Sequence, residues 1–80
     1  MIKILFFGTL AQQIGKDSMD ITFVEPESIS AVLKKIAADF PILNKIHHAV
    51  LFAVNHNQVH ADHIVQDGDE IAFMPPFAGG

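Results

Sequence analysis

The sequence predicts a small two-layer α+β domain: a mixed sheet of four to five strands with one helix packed on one face. Three observations predict it. One segment, residues 28–40, carries a sustained helical stripe of apolar residues. Several segments of four to six residues are rich in β-branched and aromatic side chains, and turn-forming residues separate them. A lone amphipathic helix must bury its stripe against one face of a sheet, which leaves two layers.

Ile2 to Phe7 is short, β-branched and aromatic, as a first strand should be. Gly8 to Ser18 follows as a loop whose end, Gly15-Lys16-Asp17-Ser18, is rich in turn residues. Asp20-Ile21-Thr22-Phe23 alternates polar and apolar, the pattern of a half-buried second strand, and Pro26 ends it. Ser28 stands where an N-cap belongs, with Glu25 and Glu27 near the positive end of the helix dipole. Ile29, Val32, Leu33, Ile36 and Phe40 form the buried stripe, and Pro41 disfavours the α conformation at Phe40. Val50 to Asn55 is a third strand, Val59 marks a short fourth, and Asp67-Gly68-Asp69 is a turn before a last strand, Glu70 to Met74. The order is β-β-α-β-β-β. A ferredoxin-like fold needs a second helix, for which Asn44 to Val50 is too short; a β-grasp arrangement fits best. Residues 1–80 form one domain, with no internal repeat or linker.

Size and composition restrict the function. A chain of 80 residues buries only about 60% of its unfolded surface and has little room for a deep substrate cavity. A carrier, modifier or binding module suits it better than a self-contained enzyme. There is no Cys, so a disulfide, a thiolate metal site and a Cys nucleophile are excluded. The net charge is −4 with five Lys and Arg in all, and only Lys34 and Lys35 are adjacent. Nucleic acid and anionic membranes are therefore not expected partners. The apolar start, Met1 to Phe7, is halted by Gly8-Thr9 and is far shorter than the roughly 20 residues of a membrane span. A cytoplasmic location is expected.

Alternation along the strands exposes a second feature. Ile2, Ile4 and Phe6 share one face; Phe52 and Val54, with Val50, and Ile71 and Phe73 extend it. The helix can cover only one face. The other would carry Leu5, Phe7, Leu51, Ala53, Ala72 and Met74, which is apolar for a surface in water. Single exposed apolar residues need no explanation, but a contiguous patch marks a protein-docking surface, here with Phe7 and Met74 as anchors.

The last residues carry the chemistry. A terminal Gly-Gly arises by chance in about 0.5% of chains, so its context decides its meaning. Here a strand is followed by Pro75-Pro76, which cannot continue the ladder, and then by Phe77-Ala78-Gly79-Gly80. Residues 75–80 are expected to form a flexible tail reaching about 20 Å when extended. Two residues without Cβ make a narrow probe that can thread a channel and present an unhindered carboxyl carbon. A carboxylate is a poor electrophile and needs a leaving group, as in an acyl-adenylate. The chain has no nucleotide-binding loop, so another protein must activate it.

Over its whole length the chain resembles the small, sulfur-carrier subunits of molybdopterin synthase. The resemblance is strongest in Ile2-Lys3-Ile4-Leu5-Phe6-Phe7-Gly8, in Ala53-Val54-Asn55, at Asp62-His63, and from Asp67-Gly68-Asp69-Glu70-Ile71-Ala72-Phe73-Met74-Pro75-Pro76 to Gly79-Gly80. It implies a ubiquitin-like β-grasp fold and an E1-like adenylating enzyme that activates Gly80. A sulfurtransferase would then supply sulfur, leaving a terminal thiocarboxylate (1-thioglycine) after the glycyl adenylate. The tail would enter the large synthase subunit, in a heterotetramer, and donate sulfur to cyclic pyranopterin monophosphate to build the dithiolene. The large subunit would supply the catalytic side chains, and no cofactor would be bound here. Gly80 and Gly79 are the reacting end; Phe7, Met74, Pro75, Pro76, Phe77 and Ala78 are the expected partner contacts. Gln58 and Ala11-Gln12-Gln13 depart from the family, whose members often carry an apolar residue and an Arg there, and Met74 stands where Phe is common.

Rival readings come from other classes. A thiamine-pathway sulfur carrier shares the fold and the Gly-Gly end but lacks the Phe-Pro-Pro run, echoed here by Phe73-Met74-Pro75-Pro76. A ubiquitin-like modifier would pass the same activated Gly80 to lysine amines. His47, His48, His56, His60 and His63 suggest metal binding, but no carboxylate or thiolate is spaced to complete a site, and surface histidines are expected.

Overall fold

A computed structural model of the chain describes residues 1–46 and 49–75. Its main sheet is built from β1 (Ile2–Phe6), β2 (Ser18–Ile21), β4 (Leu51–Val54), β5 (Asn57–Val59) and β7 (Glu70–Met74). Their order is β2-β1-β7-β4-β5. β1 and β7 pair in parallel at the centre, and the other three pairings are antiparallel, so the sheet is mixed. The helix α2 (Ile29–Asp39) covers one face, as the single stripe requires, and the fold is the expected α+β β-grasp.

The core follows the alternation. Ile2, Ile4, Phe6, Phe52, Val54, Ile71 and Phe73 are all buried, and they meet Ile29, Val32, Leu33 and Ile36 of α2. Phe73 lies between two rings, with centroids 5.8 Å from Phe6 and 5.5 Å from Phe52, in tilted and edge-on arrangements favoured by the ring quadrupole. Among the described residues no polar or charged side chain is buried.

Ser28 caps α2 as expected: its Oγ accepts from the Ala31 N–H at 3.1 Å. Two more of the first-turn N–H groups are satisfied from a distance, Ile29 donating to His63 O and Ser30 to Ala61 O, both at 2.9 Å. A two-residue ladder between β3 (Glu27–Ser28) and β6 (Ile64–Val65) holds that loop against the helix start. Glu27 is engaged by Lys35 at 2.7 Å.

Three expectations need correction. Gly8 to Ser18 is not all loop, for α1 (Gly8–Ile14) occupies most of it. Leu10 and Ile14, four residues apart, are buried on one side, and Gly15 ends the helix at φ 88° while donating to Ala11 O at 2.8 Å. A short α3 (Ile42–Ile46) follows Pro41 and seats Leu43 in the core, so α2 is the covering helix but not the only one. β2 begins and ends two residues earlier than its alternation suggests, because it pairs with β1 from Ile2↔Ile21 to Leu5↔Ser18. Phe23 lies beyond the strand, half-buried against the core.

The expected tail lies outside the described residues from Pro76 to Gly80, as do His47 and His48. Among the described residues no helix is long and apolar enough to cross a membrane.

Candidate functional site

The face of the sheet turned away from α2 is ordered along the strands. The register sets Lys3 between Asp20 and Glu70, forming a charged row at one end. One step along the pleat, Leu5 stands between Ser18 and Ala72, and Ala72 opposes Ala53, which opposes Gln58. At the far end Met74 opposes Leu51, and Phe7 follows directly after β1. This face therefore grades from charged to apolar toward the end where β7 finishes.

Leu5, Leu51, Ala72 and Met74 are half-buried and Phe7 is 46% exposed, as expected for an uncovered patch. Ala53 is the exception: it is buried, because its single methyl lies between the rows of neighbouring strands. Gln58, expected just before the short strand, lies within β5 and faces solvent. Leu5, Phe7, Ala53, Ala72 and Met74 line a groove of about 230 Å³ that His56 and Glu70 close at the charged end.

The root of the tail adjoins the apolar end. Parallel pairing sends β1 and β7 out of the sheet side by side, and the Phe7 N–H donates to Phe73 O at 3.1 Å. Gly8 then turns the chain into α1 at φ 57°. A Cβ at Gly8 would stand 3.2 Å from Pro75 Cγ, closer than side chains normally approach. Pro75, half-buried, thus leaves the sheet directly over a residue that has no side chain. Of the expected contact residues, the structure brings Phe7, Met74 and Pro75 together; Pro76, Phe77, Ala78, Gly79 and Gly80 lie outside the described residues.

Sequence reasoning missed the parts that hold this site in shape. Asn55 (φ 50°) and His56 (φ 75°) make the two-residue turn between β4 and β5, both with the positive φ that a type I′ hairpin demands. Asn55 Nδ2 donates to Asp69 Oδ1 at 3.0 Å, and Asn55 Oδ1 accepts from the Glu70 N–H at 3.0 Å. Asp69 Oδ2 in turn accepts from the Gln66 N–H at 2.8 Å, closing the turn around Gly68. The two sequence segments 53–55 and 67–70 are thus one structural unit that sets the start of β7. His56 approaches Glu70 Oε1 at 4.0 Å. His60 and His63 are exposed and share the connection between β5 and β6, apart from His56 in the β4–β5 turn, and no group of three or more potential metal ligands is placed together among the described residues.

A β-grasp domain of the ubiquitin-like kind, with a bare apolar sheet face beside an outgoing C-terminal segment, is the class that these features define. A model of the ThiS family matches residues 4–80. The chain belongs to that family. It is 38% identical over 82 aligned residues to the molybdopterin synthase sulfur carrier subunit of Escherichia coli (strain K12), covering 100% of both chains. Among solved structures it is similar to a putative molybdopterin converting factor, subunit 1, from Pyrococcus furiosus, with a TM-score of 0.82 at 23% identity over 94% of this chain and 95% of that one. It is also similar to a chain in the complex of subunits 1 and 2 of molybdopterin-converting factor from Helicobacter pylori, with a TM-score of 0.67 at 22% identity over 99% and 97%.

Proposed function

We propose that this chain is the sulfur carrier subunit of molybdopterin synthase, working in the cytoplasm. An E1-like enzyme adenylates the Gly80 carboxylate with ATP, releasing pyrophosphate, and sulfur from a sulfurtransferase, reduced to the sulfide level by a thiol, displaces AMP to leave a thiocarboxylate. Docked on the large subunit, the carrier gives that sulfur to cyclic pyranopterin monophosphate and returns as the carboxylate. The observation that carries this reading is the position of the apolar half of the open face, at the strand end where Pro75 leaves the sheet. A partner seated on Phe7 and Met74 necessarily stands beside the root of the tail, so one docking event places both surface and terminus. The full-length similarity to the Escherichia coli carrier supports it, as does the likeness to a chain of the molybdopterin-converting factor complex from Helicobacter pylori.

Reconstitution with the adenylating enzyme, a sulfide source, the large subunit and the pterin precursor tests the proposal. Deleting Gly80 is expected to abolish dithiolene formation, because the reacting carbon must come within about 3–3.5 Å of its target. Removing one residue draws the end back by about 3.4 Å. Thermal stability should barely change, since a terminal Gly has no side chain to add to the core. Full turnover by the shortened chain would refute the carrier role.

A further inference from the structure

The open face ends, away from the tail, on a carboxylate. Along β7 the outward positions read Glu70, Ala72, Met74: a charge, a hollow and an apolar side chain. The hollow exists because Ala72 opposes Ala53, which leaves two methyl groups side by side where larger residues would fill the surface. The resulting groove of about 230 Å³ has Phe7 and Met74 at one end and His56 and Glu70 at the other. That volume lies below the roughly 300–1,000 Å³ of small-molecule pockets and suits a single side chain.

We propose that this groove receives one long cationic side chain, a lysine or arginine of the docking partner, with its aliphatic stem over Ala53 and Ala72 and its charge on Glu70. The inference rests on the docking proposed above and names the chemistry of one contact within it. Such a side chain matches both ends of the groove, because its stem is apolar and only its head is charged. From Ala72 to Glu70 is about 7 Å along the strand, within reach of that stem. Glu70 is left for a partner: among the described residues its one ion-pair neighbour is His56, at the 4.0 Å limit, on a side chain that is 90% exposed. Lys3 lies beside Glu70 in the register yet forms no ion pair with it, and the chain as a whole carries −4. An apolar or anionic occupant would bury the carboxylate unpaired, which costs more than the groove's apolar contact returns. The paired charge also fixes orientation, holding the partner in the one register that faces it toward Pro75.

Titration calorimetry of the purified large subunit against the whole chain, at two salt concentrations, tests this. Glu70→Gln should bind about tenfold more weakly and Glu70→Lys about a hundredfold. The parent should lose affinity with salt more steeply than Glu70→Gln. Reversing the charge of the matching partner cation should restore binding to Glu70→Lys. Circular dichroism and thermal melting should show each variant folded, since the bond from the Glu70 N–H to Asn55 does not involve the carboxylate. If Glu70→Gln binds like the parent with the same salt dependence while Met74→Arg weakens binding, the cationic contact is wrong and the docking face stands. If Met74→Arg has no effect either, both are overturned.

Discussion

Both ends of the Asn55 amide are used: Nδ2 donates to Asp69, and Oδ1 accepts from the backbone of Glu70, each at 3.0 Å. The residue also holds a positive φ, which Asn tolerates better than most. Asn55→Ala should therefore lose about 2 kcal/mol, from two hydrogen bonds and added left-handed strain. Urea unfolding would read this as a lower midpoint with an unchanged slope; an unaltered midpoint would show that the turn stands without the lock. Gly8 is a comparable case, since its missing side chain leaves room for Pro75. Both residues stand within the segments that carry the family resemblance, but their roles are not legible there. Their partners lie far along the chain, and nothing in local spacing links Asn55 to Asp69 or Gly8 to Pro75.

At the scale of elements, legibility follows the length of the apolar pattern. β7 is legible at both ends because Glu70 to Met74 alternates between a Gly-centred turn and a pair of prolines. α2 is legible with its cap, for its stripe runs through three turns. β3 and β6 have two residues each, too few for any period to register. α1 escapes because only Leu10 and Ile14 mark its buried side; Ala11, Gln12 and Gln13 favour a helix, but seven residues are too few for the period to register. Its contribution is nonetheless large, since Leu10 is 1% exposed and lies in the main core. Leu10→Ala should cost about 3 kcal/mol, as deletion of a buried leucine usually does. A loss under about 1 kcal/mol in urea unfolding would mean that the core closes without α1.

For the whole molecule, the parallel pair β1·β7 is the organising feature. It carries the fully buried Ile4, Ile71 and Phe73 on one side and the groove of the open face on the other, and it brings Pro75 against Gly8. Alternation in the sequence separates these two faces residue by residue, Ala53 included, although its methyl is buried among its neighbours on the open face. What it cannot supply is the gradient along the open face, because the charged row Asp20, Lys3 and Glu70 is assembled from three strands by the register. The central claim is that sulfur rides on the carboxyl of Gly80, and it is open to one direct measurement. Intact-mass analysis, with fragmentation of the last residues, should be made on the chain from its native cells after loss of the large subunit, so that sulfur is loaded but not consumed. The expected result is a species in which one oxygen of Gly80 is replaced by sulfur. A terminus found only as carboxylate, or joined through isopeptide bonds to lysines of other proteins, would contradict it.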